Sequence, residues 1–404
     1  MFTRSKDFYD IVAHGLASVG YTGSAAFHEY VNETFANKYN AEKTFAQAGF
    51  PLNPNIPINP TFEQLEATIR PYSMAGYVDI DSDGPTKSTE GMTLKMGSMP
   101  TFKHEITLSR KTIREKMLLA ENIGKTNDDI NGTVMRLLFN GVDNLLGGNY
   151  NTMLYQRHQI VSNQGKLVIN ANNNPMGYAV EIDFGVPSAN KTTSTWYTKS
   201  GDAVTQASAV GATSGTSIDP IKVMRDIKYK AEHKDFAPAG HWEVSKKTFD
   251  DLLSMPYFRD MYVTWARPDI TAAANKKAFG ALIDDETLKS FIEARIGAKI
   301  VIVDATAVVE KFNTTSKKME YTNLDSFNEG VLVYVPDGAI GDAQFGRPIA
   351  METPGARIAM YDGGRTMLRS VFEDKTMTQV IGSEVTGLIV PNKVRWMYYL
   401  TVKG

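Results

Sequence analysis

One stretch constrains this chain more than any other. From Asn127-Asp128-Asp129, whose side chains offer N-capping oxygens, apolar residues fall at Ile130, Val134, Leu137, Leu138, Val142, Leu145, Leu146, Met153, Leu154, Ile160 and Val161. Spacings of three, four and seven mark one face of an α-helix. A helix over 129–163 would be about 50 Å long at about 1.5 Å per residue. Few globular domains hold an element that long, so the rest of the fold must be arranged along it. Gly165 is a natural stop. Gly147-Gly148 interrupts the run, and each glycine costs about 1 kcal/mol against alanine; a bend, or two helices end to end, is expected there.

Strand patterns surround this helix. Upstream, Tyr77-Val78-Asp79-Ile80 and Phe102 to Leu108 alternate as strands do. Gly84, Pro85, Gly91, Gly97 and Pro100 lie between them, which reads as a long hairpin with an irregular polar tip. Residues 61–70 suggest a short helix, with Thr61 three before Gln64 as a capping pair. Residues 1–60 end in a proline-rich run, Pro51 to Pro60, which favours extended chain. They read as an arm that needs a neighbour to lie on, or as a loosely packed domain edge.

Downstream, Lys166 to Asn170 and Ala179 to Phe184 read as strands, and the small polar residues 200–217 as a flexible loop. Asp219-Pro220 is a helix start with Asp at the N-cap and Pro at N1. Next come a strand at His241–Val244, a helix over Ser245–Met255, a helix over Glu286–Ile296, and strands at Lys299–Asp304 and Val331–Val335. The last hundred residues are mostly β. In the closing segment Trp396, Tyr398 and Leu400 share one face, with Met397, Tyr399 and Thr401 on the other. The whole is α+β.

Composition excludes several functions. The chain has 404 residues and no cysteine, so disulfides, thiolate metal sites and cysteine nucleophiles are ruled out. A net charge of −2 lacks the basic excess of a protein that grips nucleic acid unaided. No secretory leader or membrane-spanning segment is read, which places synthesis in the cytoplasm. The six histidines show no helical zinc spacing, and no phosphate loop, dinucleotide fingerprint or nucleophile elbow occurs. No catalytic residue and no cofactor are assigned.

One metal motif does occur. Asp79, Asp81, Asp83 and Glu90, with Gly84 between, match the D-x-D-x-D-G-x5-E calcium loop, in which carboxylates surround a hard cation. That loop needs a helix on each side, whereas these flanks read as strands. An acidic hairpin tip explains the same residues without metal. Lys103, Arg110, Lys111, Arg114 and Lys116 form a mild basic cluster, diluted by Glu105 and Glu115, and read as a solvated face or as inter-subunit salt bridges rather than as a nucleic-acid patch.

Four stretches carry a family resemblance: Gly97-Ser98-Met99-Pro100 leading into Phe102–Leu108; Lys247–Tyr262 with its Met255-Pro256-Tyr257-Phe258-Arg259 segment; Lys299–Asp304 followed by Val331–Gly341; and Phe372-Glu373-Asp374 through Val390-Pro391-Asn392 to the terminal strand. In this order they resemble the lambda-type (E-like) major capsid proteins of tailed phages, which have the Hong Kong 97-type capsid fold. The chain lacks an Asp-Pro-Pro run near Asp374, and its 200–217 linker is long.

The resemblance implies an N-terminal arm (1–70), an extended E-loop hairpin (71–108), a P-domain (109–218) with its spine helix at 128–163, an A-domain (219–340), and returning strands shared between them (341–404). It implies self-assembly into pentamers and hexamers of an icosahedral head around double-stranded DNA. Portal, scaffold, decoration and head-completion proteins are the implied partners. No membrane is involved, and the shell is built in the host bacterial cytoplasm before residing in the virion. Some shells of this fold cross-link through lysine and asparagine, and Lys87 and Lys95 lie on the hairpin. The alternatives are an encapsulin-type shell of the same fold and a soluble calcium-binding or hydrolytic protein.

Overall fold

The computed structural model describes residues 38–67, 92–109, 127–174, 178–212, 217–313, 315–316, 318–348, 357–373 and 378–404, with isolated positions before residue 38. The fold is α+β. Helix α1 (Ala41–Gln47) precedes β1 (Thr61–Ala67), β2 (Met92–Ser98), β3 (Thr101–Ser109) and the long α2 (Asn127–Ser162). Then come β4 (Lys166–Ile169), β5 (Val180–Asp183), β6 (Lys191–Ser200), β7 (Ala203–Gln206), α3 (Pro220–Tyr229) and β8 (Gly240–Ser245). Helices α4 (Lys246–Ser254), α5 (Pro256–Ala266), α6 (Ala273–Gly280) and α7 (Asp285–Ile296) follow. The remaining strands are β9 (Ile300–Val303), β10 (Thr306–Asn313), β11 (Lys318–Asp325), β12 (Val331–Pro336), β13 (Gly341–Gly346), β14 (Arg357–Tyr361), β15 (Thr366–Glu373), β16 (Thr378–Pro391) and β17 (Tyr398–Lys403).

The chain divides into two compact units. The first comprises Met1–Glu63, Lys95–Leu154 and Asp342–Val390. Its sheet runs β13-β16-β15-β14, with β3 also pairing β16 from Thr101↔Thr386 to Ser109↔Thr378. Val142, Leu145, Leu146 and Met153 of α2 are buried, as the 3.6-residue period requires. The glycine pair does not break the helix: α2 is one run of 36 residues. Close approach explains the glycines. A Cβ at Gly147 would lie 2.9 Å from the Tyr39 hydroxyl, and one at Gly148 would lie 3.3 Å from the His104 ring. Helix propensity is spent on letting an upstream segment and β3 come near.

The described part of that upstream segment packs on its own unit. Phe45 stacks on Tyr150 with ring centroids 5.7 Å apart, Phe50 is fully buried, and Leu52 bridges Ala343. The expectation of weak structure fails over residues 38–60 because three aromatic rings anchor a segment whose prolines suggested only extended chain.

The helix expected at 61–70 is instead β1, which pairs with β2. Phe62, Gln64 and Glu66 are buried while Glu63 and Leu65 face solvent, a period of two. Two of the inward residues are polar, so no hydrophobic alternation announces the strand. Gln64 donates from Nε2 to the carbonyls of Phe184 (3.2 Å) and Pro391 (3.0 Å), which satisfies it. A Cβ at Gly97 of β2 would meet the Phe62 ring at 2.5 Å. Met92–Ser98, read from sequence as part of a loop, is therefore a strand, and β3 pairs with β16. The proposed partner at 77–80 lies outside the described residues.

The second unit comprises Gln64–Leu94, Tyr155–Gly341 and Pro391–Gly404. Its mixed six-stranded sheet runs β7-β6-β17-β12-β8-β9, with β17–β6 and β8–β9 parallel. Trp196, Trp242, Leu332, Tyr334, Tyr398 and Leu400 pack with Met224, Phe249, Leu252, Phe258, Leu288 and Ile292 from the helices. Tyr398, Tyr399 and Leu400 are all buried, so both faces of β17 are covered. Trp396 belongs to a 3-10 turn before the strand.

Capping follows the sequence closely. Asp219 accepts from Lys222 N at 2.9 Å, Ser245 from Thr248 N at 3.2 Å and Asp284 from Thr287 N at 2.8 Å. Gly165 (φ +76°) ends the long helix, its N–H donating to Ile160 O at 3.0 Å. The expected flexible loop at 200–217 contains β7, paired with β6, and a bridge from Val210 to Ile218; residues 213–216 lie outside the described residues.

Candidate functional site

The last turns of α2 reach the large sheet through a buried ion pair. Arg157 and Glu243 of β8 are both nearly inaccessible. Arg157 Nη1 donates to Glu243 Oε2 at 2.6 Å, and Nη2 donates to Oε1, a bidentate fork. His241, two residues away on the same strand face, donates from Nδ1 to Asp337 at 2.7 Å and sets Nε2 3.4 Å from Glu243. Full burial of Glu243 works against its charge, but the Arg157 charge and the bonds from His241 and Arg157 outweigh it and lower its pKa. His241 is raised by its bond to Glu243, against its own desolvation, with help from Asp337. His158 goes the other way: burial, aided by the Arg157 charge, lowers it to about 4.

This network is a structural clamp. Each charged group in it meets one of opposite sign. Among the described residues, no group of three or more His, Asp or Glu is placed to hold a metal ion, and no helix is long and apolar enough to cross a membrane. The calcium candidates Asp79, Asp81, Asp83 and Glu90 lie outside the described residues, as does Lys87. Lys95 is exposed on β2. Lys103 of the basic cluster pairs with Glu384 of its own chain at 2.8 Å; Arg110, Lys111, Arg114 and Lys116 lie outside the described residues.

The surface offers more than the clamp. Leu65, Leu94 and Met96 on β1 and β2 are exposed. The β10–β11 ribbon pairs from Thr306↔Asp325 to Asn313↔Lys318. It exposes Val308, Met319 and Tyr321, the last at 68%. An isolated two-stranded ribbon is marginal in water, so such a face needs cover. Sequence reasoning missed this ribbon because its strands have no apolar alternation facing a core.

Residues 29–292 match the family described as phage major capsid protein E. The chain belongs to this family. It is a structural protein of the phage capsid, and its elements are α+β, as expected from sequence. The match favours a phage shell over an encapsulin-type compartment. No curated protein sequence matches the chain.

Among solved structures, a prophage protein of E. coli CFT073 described as a capsid protein is similar at 12% identity and a TM-score of 0.49, covering 92% of this chain and 98% of its own. The capsid of Myoviridae phage XM1 is similar at 9% identity and a TM-score of 0.41, covering 89% and 91%. A virus-like particle from Pyrococcus furiosus is similar at 8% identity and a TM-score of 0.37, covering 93% and 99%. Family membership rests on the sequence match, not on these likenesses.

Proposed function

We propose that copies of this major capsid protein close into an icosahedral head around double-stranded DNA, building pentamers and hexamers. The family match carries this reading. The apolar surfaces that a single subunit leaves open on β1, β2, β10 and β11 support it. Each contact is weak alone, but a subunit in a closed shell makes many at once, and effective concentration turns them into a stable assembly. In this reading residues 1–70 form the arm, 71–108 the E-loop, 109–218 the P-domain with α2 as its spine, 219–340 the A-domain, and 341–404 the shared strands. Packaged DNA is held without sequence specificity, consistent with a net charge of −2. Portal, scaffold and head-completion or decoration proteins complete the particle, which is assembled in the bacterial cytoplasm. Subunit chemistry ends at assembly, with no catalytic step.

Negative-stain electron microscopy of the purified chain, beside a sedimentation profile and with co-expressed scaffold where the chain alone stays small, tests this. Closed shells or rings of five and six are expected. A monomer that persists at high concentration with scaffold present would overturn it.

A further inference from the structure

A groove of about 690 Å³ opens in the second unit between the end of β1, the turn after α3 and the turn before β17. Lys230, Lys234, Lys393 and Arg395 line it against two carboxylates, Glu66 and Asp235. Both carboxylates are engaged by the groove's own walls. Glu66 accepts from Arg395 Nε at 2.6 Å, and Asp235 accepts from the Tyr398 hydroxyl at 2.6 Å. Lys230 Nζ is held too, donating to the Ala189 carbonyl at 2.6 Å. Lys393 sits over the Trp396 ring, 5.7 Å from its centroid, and Lys234 is exposed. Neither of these two lysines pairs with a carboxylate among the described residues.

The backbone that builds one wall is costly twice over. Lys230–Lys234 form a π-helical turn, in which the Asp235 N–H reaches back five residues to the Lys230 carbonyl at 3.0 Å. Such turns are rare and recur at functional sites. Phe236, next along the chain, has φ +54°, and the Ala237 N–H closes the turn on the Ala231 carbonyl at 2.9 Å. Helices that end this way usually put glycine in the left-handed position, because a side chain there is strained. Here a phenylalanine takes it and stays 48% exposed, so burial offsets only part of the strain. A π turn and a strained aromatic residue in succession, both lining one groove, point to a use for that groove.

Unpaired lysines and aromatic rings in one groove fit one class of ligand. Lysine meets phosphate as a compact point charge, and nucleobases stack on aromatic side chains whatever their identity. Carboxylates of an acidic peptide are better met by guanidinium forks, and the groove's one arginine is already on Glu66. The volume is that of a small-ligand site. We infer that this groove binds a nucleotide, its phosphate met by Lys234 and Lys393 and its base by Trp396 and Phe236. A free mononucleotide and an unpaired strand share this chemistry, and their relative affinities tell them apart. The site needs a single subunit, so it stands independently of the shell reading.

The test uses the unassembled full-length chain at about 0.15 M salt, where attraction to phosphate charge alone is screened. The first probe is a fluorescein-labelled thymidine octanucleotide, followed by anisotropy, and saturable binding is expected. K234E/K393E should weaken it by about tenfold or more, with the unfolding temperature unchanged. Phe236→Gly should weaken it by about fivefold or more, the lower end of what a base–aromatic stack contributes. Its unfolding temperature should stay at or above that of the wild type, since glycine adopts this backbone conformation without strain. Competition with thymidine monophosphate then sorts the source. An affinity within about tenfold of the octanucleotide assigns a mononucleotide site, and a weaker one assigns an unpaired strand. No binding of either probe would overturn the inference. So would equal binding by a duplex of the same length, by inorganic phosphate or by hexaglutamate, each of which carries the charge without an accessible base. An affinity unchanged in either variant would overturn it as well.

Discussion

Replacing Arg157 by alanine tests the clamp between α2 and β8. Glu243 is 1% exposed and Arg157 8%, so the substitution leaves a carboxylate buried with only His241 beside it. Removing one partner of a buried pair costs about 3–5 kcal/mol, because the remaining charge has lost its compensation. The pH dependence should also change sign. In the wild type Glu243 has a lowered pKa, so its contribution is present above the unfolded value of about 4.5 and is lost as pH falls through the folded one. Without Arg157, desolvation dominates and raises that pKa. The variant should then be closest to wild type at low pH and lose ground as pH rises through the folded value. Urea unfolding of the unassembled chain, followed by tryptophan emission between pH 4 and 8, reads both effects. A paired change, Arg157→Met with Glu243→Leu, should cost less than Arg157→Ala alone, since matched apolar groups remove the desolvation penalty along with the attraction. A loss under about 1 kcal/mol for Arg157→Ala, or additive losses for the pair, would refute the reasoning.

The remaining predictions concern single positions. Gly97→Ala should destabilise by about 1–3 kcal/mol, read as a lower unfolding midpoint, because the new Cβ would meet the Phe62 ring at 2.5 Å. His158 is held neutral with its pKa lowered to about 4 by burial and the Arg157 charge. Unfolded histidine binds a proton near 6.5, so stability should fall as pH drops from about 6.5 toward 4, by on the order of 3 kcal/mol, and His158→Gln should flatten that slope. Calorimetric titration with millimolar calcium should give no binding heat at Asp79, Asp81, Asp83 and Glu90; a stoichiometric heat lost in D81N would restore the calcium reading. Denaturing gels of mature shells should show monomers alone, and a ladder abolished by K87A or K95A would establish cross-linking.

What could be read in advance followed from local chemistry. The long helix, the Asp219-Pro220 start, the helix over Ser245–Met255 and the Gly165 stop each depend on neighbours within a few residues, and all are present, with Ser245 itself serving as the N-cap. Where sequence reading failed, distant residues decided. Gln64 and Glu66 look like a helix surface until Phe184 O, Pro391 O and Arg395 are seen to satisfy them. Gly147 and Gly148 look like a break until Tyr39 and His104 fill the space a Cβ would take. The groove lined by Lys234, Lys393 and Trp396 in the second unit was illegible for the same reason: these residues belong to segments about 160 residues apart that meet only in the folded chain. The acidic motif at 79–90 was plain in the sequence.

The position of β17 has a consequence for timing. It lies between β6 and β12, yet β6 ends at Ser200 and β17 begins at Tyr398. A ribosome adding about 5–20 residues per second needs roughly 10–40 s to cover that interval. Until β17 emerges, β6 and, once it is made, β12 have an empty slot between them, and Trp196, then Leu332 and Tyr334, lack the strand that lies beside them in the finished sheet. A nascent subunit therefore cannot present finished surfaces to its neighbours. Translation itself acts as a checkpoint, admitting only chains that have been read through β17.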